Sequence, residues 1–180
     1  MKRFALTAAA VCAATMAGAV IGAPEDDVPG QGRGKILSTE ITGSDLGFFT
    51  GAARQTALVL EVASLAKTHA TTPEVRALAA ATWKEQSDNS ARLKDLAASK
   101  QVPLPEEPDG QGKKLLQTLA KLKGVKFDKA CLEAFSDTQD QLETSLQAGA
   151  ASTDRAIKAF AETGLGVLKP ERERVKKLGI

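Results

Sequence analysis

Five polar side chains stand where a helical stripe of apolar residues would be expected to continue: Glu61, Gln86, Asn89, Gln139 and Glu171. Between Ala79 and Leu93 the inward positions are Thr82, Gln86 and Asn89, all at helical spacing. Gln139 falls four residues after Phe135 and three before Leu142, Glu171 lies between Leu168 and Val175, and Glu61 interrupts the first stripe in the same way. Polar groups that face a core must find partners there. The amides of Gln86, Asn89 and Gln139 supply donors and the carboxyls of Glu61 and Glu171 supply acceptors, so a buried hydrogen-bonded cluster is one expectation. The other is that a slight rotation of each helix leaves these side chains in water. Two carboxylates among amides make a poor transition-metal site, so the cluster reads first as structural and second as a seat for a metal or small ligand.

Other reactive residues carry less. The single histidine, His69, has Ala66 three residues before it, which excludes the Glu-x-x-His pair that di-iron helical proteins use. It reads as a helix C-terminal residue. No Ser or Cys beside it completes a nucleophilic triad, and no enzyme is expected. The Gly-x-Gly triplets beginning at Gly30, Gly32, Gly110 and Gly164 lack the strand-to-helix context of a phosphate loop. No cofactor is implied.

The elements that position these residues are helices. Ala, Leu, Lys, Glu and Gln are abundant, Tyr is absent, and there are one Trp and six Phe, which disfavours sheet. A first long helix is predicted from Ser44-Asp45 to about His69, with Leu46, Phe49, Ala53, Ala57, Glu61 and Leu65 facing inward. Thr72-Pro73-Glu74 starts the second, with Thr72 as side-chain cap at a value of about 1 kcal/mol. It runs to about Lys100 with Val75, Leu78, Ala79, Leu93, Leu96 and Ala97 inward. A Pro-rich loop, Val102 to Gly112, follows, then a short helix from Lys113 to Leu122. The third long helix starts near Phe127-Asp128 and carries Cys131, Leu132, Phe135, Leu142 and Leu146; the last is capped by Ser152-Thr153-Asp154 and carries Ile157, Phe160, Leu168, Val175 and Leu178. Gly164, Gly166 and Pro170 should kink or break it. The expected fold is an all-α four-helix bundle of up-down pairs, with one long crossover and a short extra helix, over residues 44–178.

Ahead of it, Met1-Lys2-Arg3 and the uncharged stretch Phe4 to Ile21 have the form of a secretory signal. Residues 1–23 are expected to be removed, with cleavage after Ala19 as the competing site, and residues 24–43 read as a disordered leader. A retained membrane anchor is disfavoured by the Ala and Gly content of the stretch, and acylation at Cys12 by the residues before it. The expected location is therefore outside the cytoplasm, in the periplasm or at the outer membrane, where a partner protein of the envelope would be met. The chain has 24 Lys plus Arg and 22 Asp plus Glu; loss of Lys2 and Arg3 leaves 22 of each. Neutrality and scarce aromatics argue against a nucleic-acid partner. Cys131 becomes the sole thiol, expected to be buried, so no internal disulfide is available.

The order of features resembles the exported helical family of domain of unknown function 4142, whose members are labelled outer-membrane proteins and are similar in fold to ferritin-like bundles. The resemblance rests on Asp45-x-x-Phe48-Phe49, Glu61 with Leu65-Ala66, Thr72-Pro73-Glu74-Val75-Arg76-x-Leu78-Ala79, and Leu93-x-x-Leu96-Ala97. It continues in Val102-x-Leu104-Pro105, Phe127-Asp128-Lys129-Ala130 and Leu165-x-x-Leu168. The resemblance implies histidines near the middle of the second, third and last long helices, where this chain has Gln86, Gln139 and Glu171, and an aromatic at Cys131. Any metal capacity that such histidines confer is expected to be lost or altered here.

Overall fold

The computed structural model describes residues 40–179, which are all-helical, with no strand among them. Residues 1–23 and most of the 24–43 segment lie outside the described residues. The helices are α1 (Gly43–His69), α2 (Pro73–Ser99), α3 (Gly110–Leu119), α4 (Val125–Ala150) and α5 (Arg155–Lys177). Among the described residues no helix is long and apolar enough to cross a membrane.

α1 packs along α2 and α4, α4 along α5, and α2 meets α5, while α3 lies against α1 and α4. Hydrogen bonds at the ends fix the directions. Asp128, in the first turn of α4, accepts from the backbone N–H groups of Thr71 (2.8 Å) and Thr72 (2.9 Å), just past the end of α1. At the opposite end, Ser152 donates to Asp45 in the first turn of α1 at 2.6 Å. α1 and α4 are therefore antiparallel, and the connection through α3 runs the length of the molecule.

Local chemistry explains the helix starts. Thr42 caps α1 in a reciprocal box: its hydroxyl accepts from the Asp45 N–H, and the Asp45 carboxylate accepts from the Thr42 N–H. Asp154 caps α5 by accepting from Ala156 and Ile157, and it also pairs with Lys100 at the end of α2. Burial alone would raise both carboxyls. For Asp45 the hydrogen bonds from Ser152 and Thr42 outweigh burial, for Asp154 those from Lys100 and the α5 backbone, and both stay below the usual carboxylate range. Thr72 corrects an expectation. It occupies the cap position of α2, but its side chain accepts no hydrogen bond. The carboxylate of Asp128 instead serves the N–H groups just ahead of the helix, and Arg76 donates to the carbonyls of Ala70 and Thr71.

α5 also departs from expectation, because it runs unbroken through Pro170. Pro170 cannot donate to the carbonyl of Gly166, but both residues are exposed, so water satisfies that carbonyl at little cost. In α4, Gly149 is required by close packing. A Cβ there would sit 2.6 Å from the Phe48 ring and 3.0 Å from Ala161.

The apolar core is divided in two. One cluster joins Val59, Val62, Ala66, Val75, Phe127 and Phe135 with their neighbours; the other joins Phe48, Phe49, Leu93, Leu142, Leu146 and Ile157 with theirs. On each long helix the two clusters are separated by a polar residue that is itself buried.

Candidate functional site

That boundary is a polar layer. α1 contributes Thr56, α2 Thr82 and Gln86, α4 Thr138 and Gln139, and α5 Glu171. Burial is close to complete, with relative exposures of 0% for Thr82 and Glu171, 1% for Gln139 and 2% for Gln86. Each occurs because the helical repeat that brings apolar residues inward from both ends passes through these positions as well.

Glu171 is the centre of the layer's electrostatics. Gln86 Nε2 donates to Glu171 Oε2 at 2.9 Å. Burial pushes the Glu171 carboxyl up to about 8, and the neighbouring Glu85 carboxylate adds to the rise; Gln86 and Arg174 pull the other way. Glu85 behaves oppositely: despite partial burial, its hydrogen bond with Glu171 and its ion pair with Arg174 hold it below the usual range. At neutral pH the arrangement is thus a neutral Glu171 acid donating to an ionised Glu85, which is paired in turn with Arg174. A neutral carboxyl also suits the surroundings, since Glu171 Oε1 has no donor of its own and the protonated group has Glu85 as acceptor.

Other polar atoms of the layer lack protein partners. Both amide atoms of Gln139, Gln86 Oε1 and Thr82 Oγ1 are buried without one, whereas Thr138 donates to the Ala134 carbonyl. A cavity of about 20 Å³ adjoins Thr56, Gln86 and Asn89, with Leu93, Leu142 and Leu168 among its apolar walls. That volume holds about one water molecule and no organic ligand.

The five sequence-derived positions therefore separate. Gln86 and Glu171 bond directly, Gln139 lies buried in the same layer, and Asn89 is half-buried at the small cavity. Glu61 does not join them. It is exposed and lines a surface groove of about 400 Å³ with Lys94 and the crossover residues Leu104 and Pro105, so it supplies no acceptor to the interior. On α1 the expected stripe holds at Phe49 and Ala53 and fails at Glu61 and at Leu46, which is 46% exposed; the buried face runs through Phe48, Phe49, Ala52, Ala53, Thr56, Val59 and Ala63. Thr56, Glu85 and Arg174 escape the sequence reading. Arg174, three residues after Glu171 and thus on the same face, is the signal that an acid-base group extends beyond Glu171.

Cys131 is fully buried, and burial pushes its thiol up to about 12, with the charge of Asp128 adding to the effect. Among the described residues no three His, Cys, Asp or Glu side chains converge as metal ligands would.

Fold and site define an all-helical protein whose two apolar clusters are divided by a layer of buried amides, hydroxyls and one neutral carboxylic acid. A family model described as Domain of unknown function (DUF4142) matches residues 35–178, and the chain belongs to that family. Comparison with curated proteins and with solved structures finds no match.

Proposed function

We propose that this is an exported cell-envelope protein, a four-helix bundle with a ferritin-like crossover, that acts by binding or as a structural element rather than by catalysis. The observation that carries the reading is the sealing of the polar layer. Its one strongly perturbed acid, Glu171, is fully buried, and the adjoining cavity is too small for a substrate. Catalysis needs a group that can reach its reactant, and a proton held between Glu171 and Glu85 cannot. Export is supported by the basic and apolar segments at the start of the chain. The bundle is supported by the antiparallel packing of α1 with α4 and the long path through α3.

A second reading, a seat for a metal or another small occupant, is favoured by the unpartnered side-chain oxygens of Gln86, Gln139 and Thr82. These are oxygen donors of mostly neutral charge, which suit a hard cation or water better than a transition metal. Cell fractionation with mass determination of the mature N-terminus, followed by elemental analysis of the purified protein, tests both. The expected result is an envelope protein beginning at Pro24 with no stoichiometric metal. An intact Met1 in the cytosol refutes export, and stoichiometric metal that disappears in Glu171→Ala replaces the first reading with the second.

A further inference from the structure

Charge is unevenly spread over the described residues. One end of the molecule gathers the end of α1, the start of α2, the turn from α3 into α4 and the end of α5. Leu122, Phe127, Ala70 and Leu178 pack there around one apolar cluster. Projecting from that end are Lys121, Lys123, Lys126, Lys129, Lys176 and Lys177, all exposed. The acids nearby are fewer. Asp128 is buried and committed to Thr71 and Thr72, Glu133 pairs with Lys129, Glu173 pairs with Lys176, and Glu74 is exposed on α2. Without Lys2 and Arg3 the chain has no net charge, so this accumulation is a polarisation of the molecule rather than a general basicity.

Helix dipoles account for only part of it. Lys176 and Lys177 close α5, where cations are favourable, but Lys126 and Lys129 stand in the first turns of α4, where they are not. At the centre of the group Gly124 takes a left-handed turn, φ 62°, and the next residue, Val125, is 75% exposed. An apolar side chain thus stands exposed at this tip, flanked along the chain by the exposed Lys123 and Lys126. Among the described residues no exposed Phe or Trp stands at this tip to give the stacking platform that a single-stranded nucleic acid would use. Cations around an exposed apolar residue match an interface with phosphate heads outside and acyl chains beneath.

We infer that the end of the molecule formed by the α3–α4 turn and the α5 C-terminus docks on an anionic phospholipid surface, with Val125 entering the interface and Lys121, Lys123, Lys126 and Lys177 facing the phosphates. This deepens the proposed envelope role by naming a partner and rests on that reading for its place in the cell, but the contact can be read in isolation. Each lysine near an anionic bilayer strengthens binding roughly fivefold, so replacing two weakens it roughly 25-fold.

The test is co-sedimentation of the purified full chain with phosphatidylglycerol vesicles and with phosphatidylcholine vesicles. Binding is expected to the first only, to disappear in 0.5 M salt, which cuts the screening length to about 4 Å, and to weaken roughly 25-fold in K123Q/K126Q. Val125→Asp should weaken it as well, with circular dichroism unchanged in both variants. Equal binding to both vesicles, no binding to either, or an undiminished K123Q/K126Q variant overturns the inference. Capture by heparin with no vesicle binding also overturns it and assigns the patch to a soluble polyanion. A cytosolic protein that still binds vesicles would refute the export reading and leave this contact standing.

Discussion

The substitution Glu171→Gln isolates the chemistry of the polar layer. In the native protein Glu171 is held neutral, and its carboxyl has the shape and hydrogen-bond capacity of an amide: it accepts from Gln86 and donates to Glu85. Its folded-state value, about 8, lies above the ordinary 4.5. For a raised carboxyl the contribution to stability is complete below about 4.5 and is lost as pH rises through about 8, because the unfolded chain ionises freely while the folded one must ionise a buried acid. The full difference corresponds to roughly 5 kcal/mol. Coupling to Glu85, which shifts in the opposite direction, reduces it, and a loss of about 2 to 4 kcal/mol between pH 5 and pH 9 is expected. Glutamine keeps both hydrogen bonds and cannot ionise. Urea unfolding of both proteins across that range, followed by far-ultraviolet circular dichroism, should give equal stability at pH 5 and a more stable variant at pH 9. Below about pH 4 the lowered Asp45, Asp154 and Glu85 carboxyls titrate and dominate, so the comparison stops above that point. Parallel profiles for the two proteins would refute the neutral-acid assignment.

Asp128→Ala should lower stability by about 2 to 3 kcal/mol, because the Thr71 and Thr72 N–H groups lose a charged acceptor; chemical denaturation reads it, and Thr72→Ala should cost much less. Cys131 should resist a thiol reagent at pH 8 in the native protein and react at once in denaturant, since its thiol is buried and held near 12; rapid native labelling would show that the core opens locally.

The sequence made the helices legible, and the reasons differ by element. α2 and α4 carry Val, Leu, Phe and Cys on one face and charges on the other, so Gln86 and Gln139 could be placed inside by spacing alone. α1 has little such contrast. Leu46, Leu60 and Leu65 lie outside its buried face, that face mixes Phe48, Phe49, Val59 and Val62 with small Ala and Thr residues, and the stripe through Glu61 competed with the one through Thr56. Pro170 read as a breaker because the sequence does not say which side of a helix meets water. Asp128 could not be foreseen as the partner of Thr71 and Thr72, because 56 and 57 residues separate them and only the packing of α4 on α1 brings them together. The acid-base character of the layer was half visible. Glu171 was marked by its stripe, while the Glu85 that reinforces the effect of burial on its protonation sits beside Gln86, at the edge of the face.

The joints at the two ends are reciprocal. The turn between α1 and α2 is held by a carboxylate from α4, and the turn between α4 and α5 is held to a carboxylate from α1. Each corner is finished in part by its own pair, through Arg76 at one end and Asp154 at the other, and in part by a carboxylate of the opposite pair, so the two complete each other as interlocked hands do. The strand of chain between them transmits no part of that interlock, so scission in the proline-rich stretch before α3 would leave two fragments with every reason to remain one molecule.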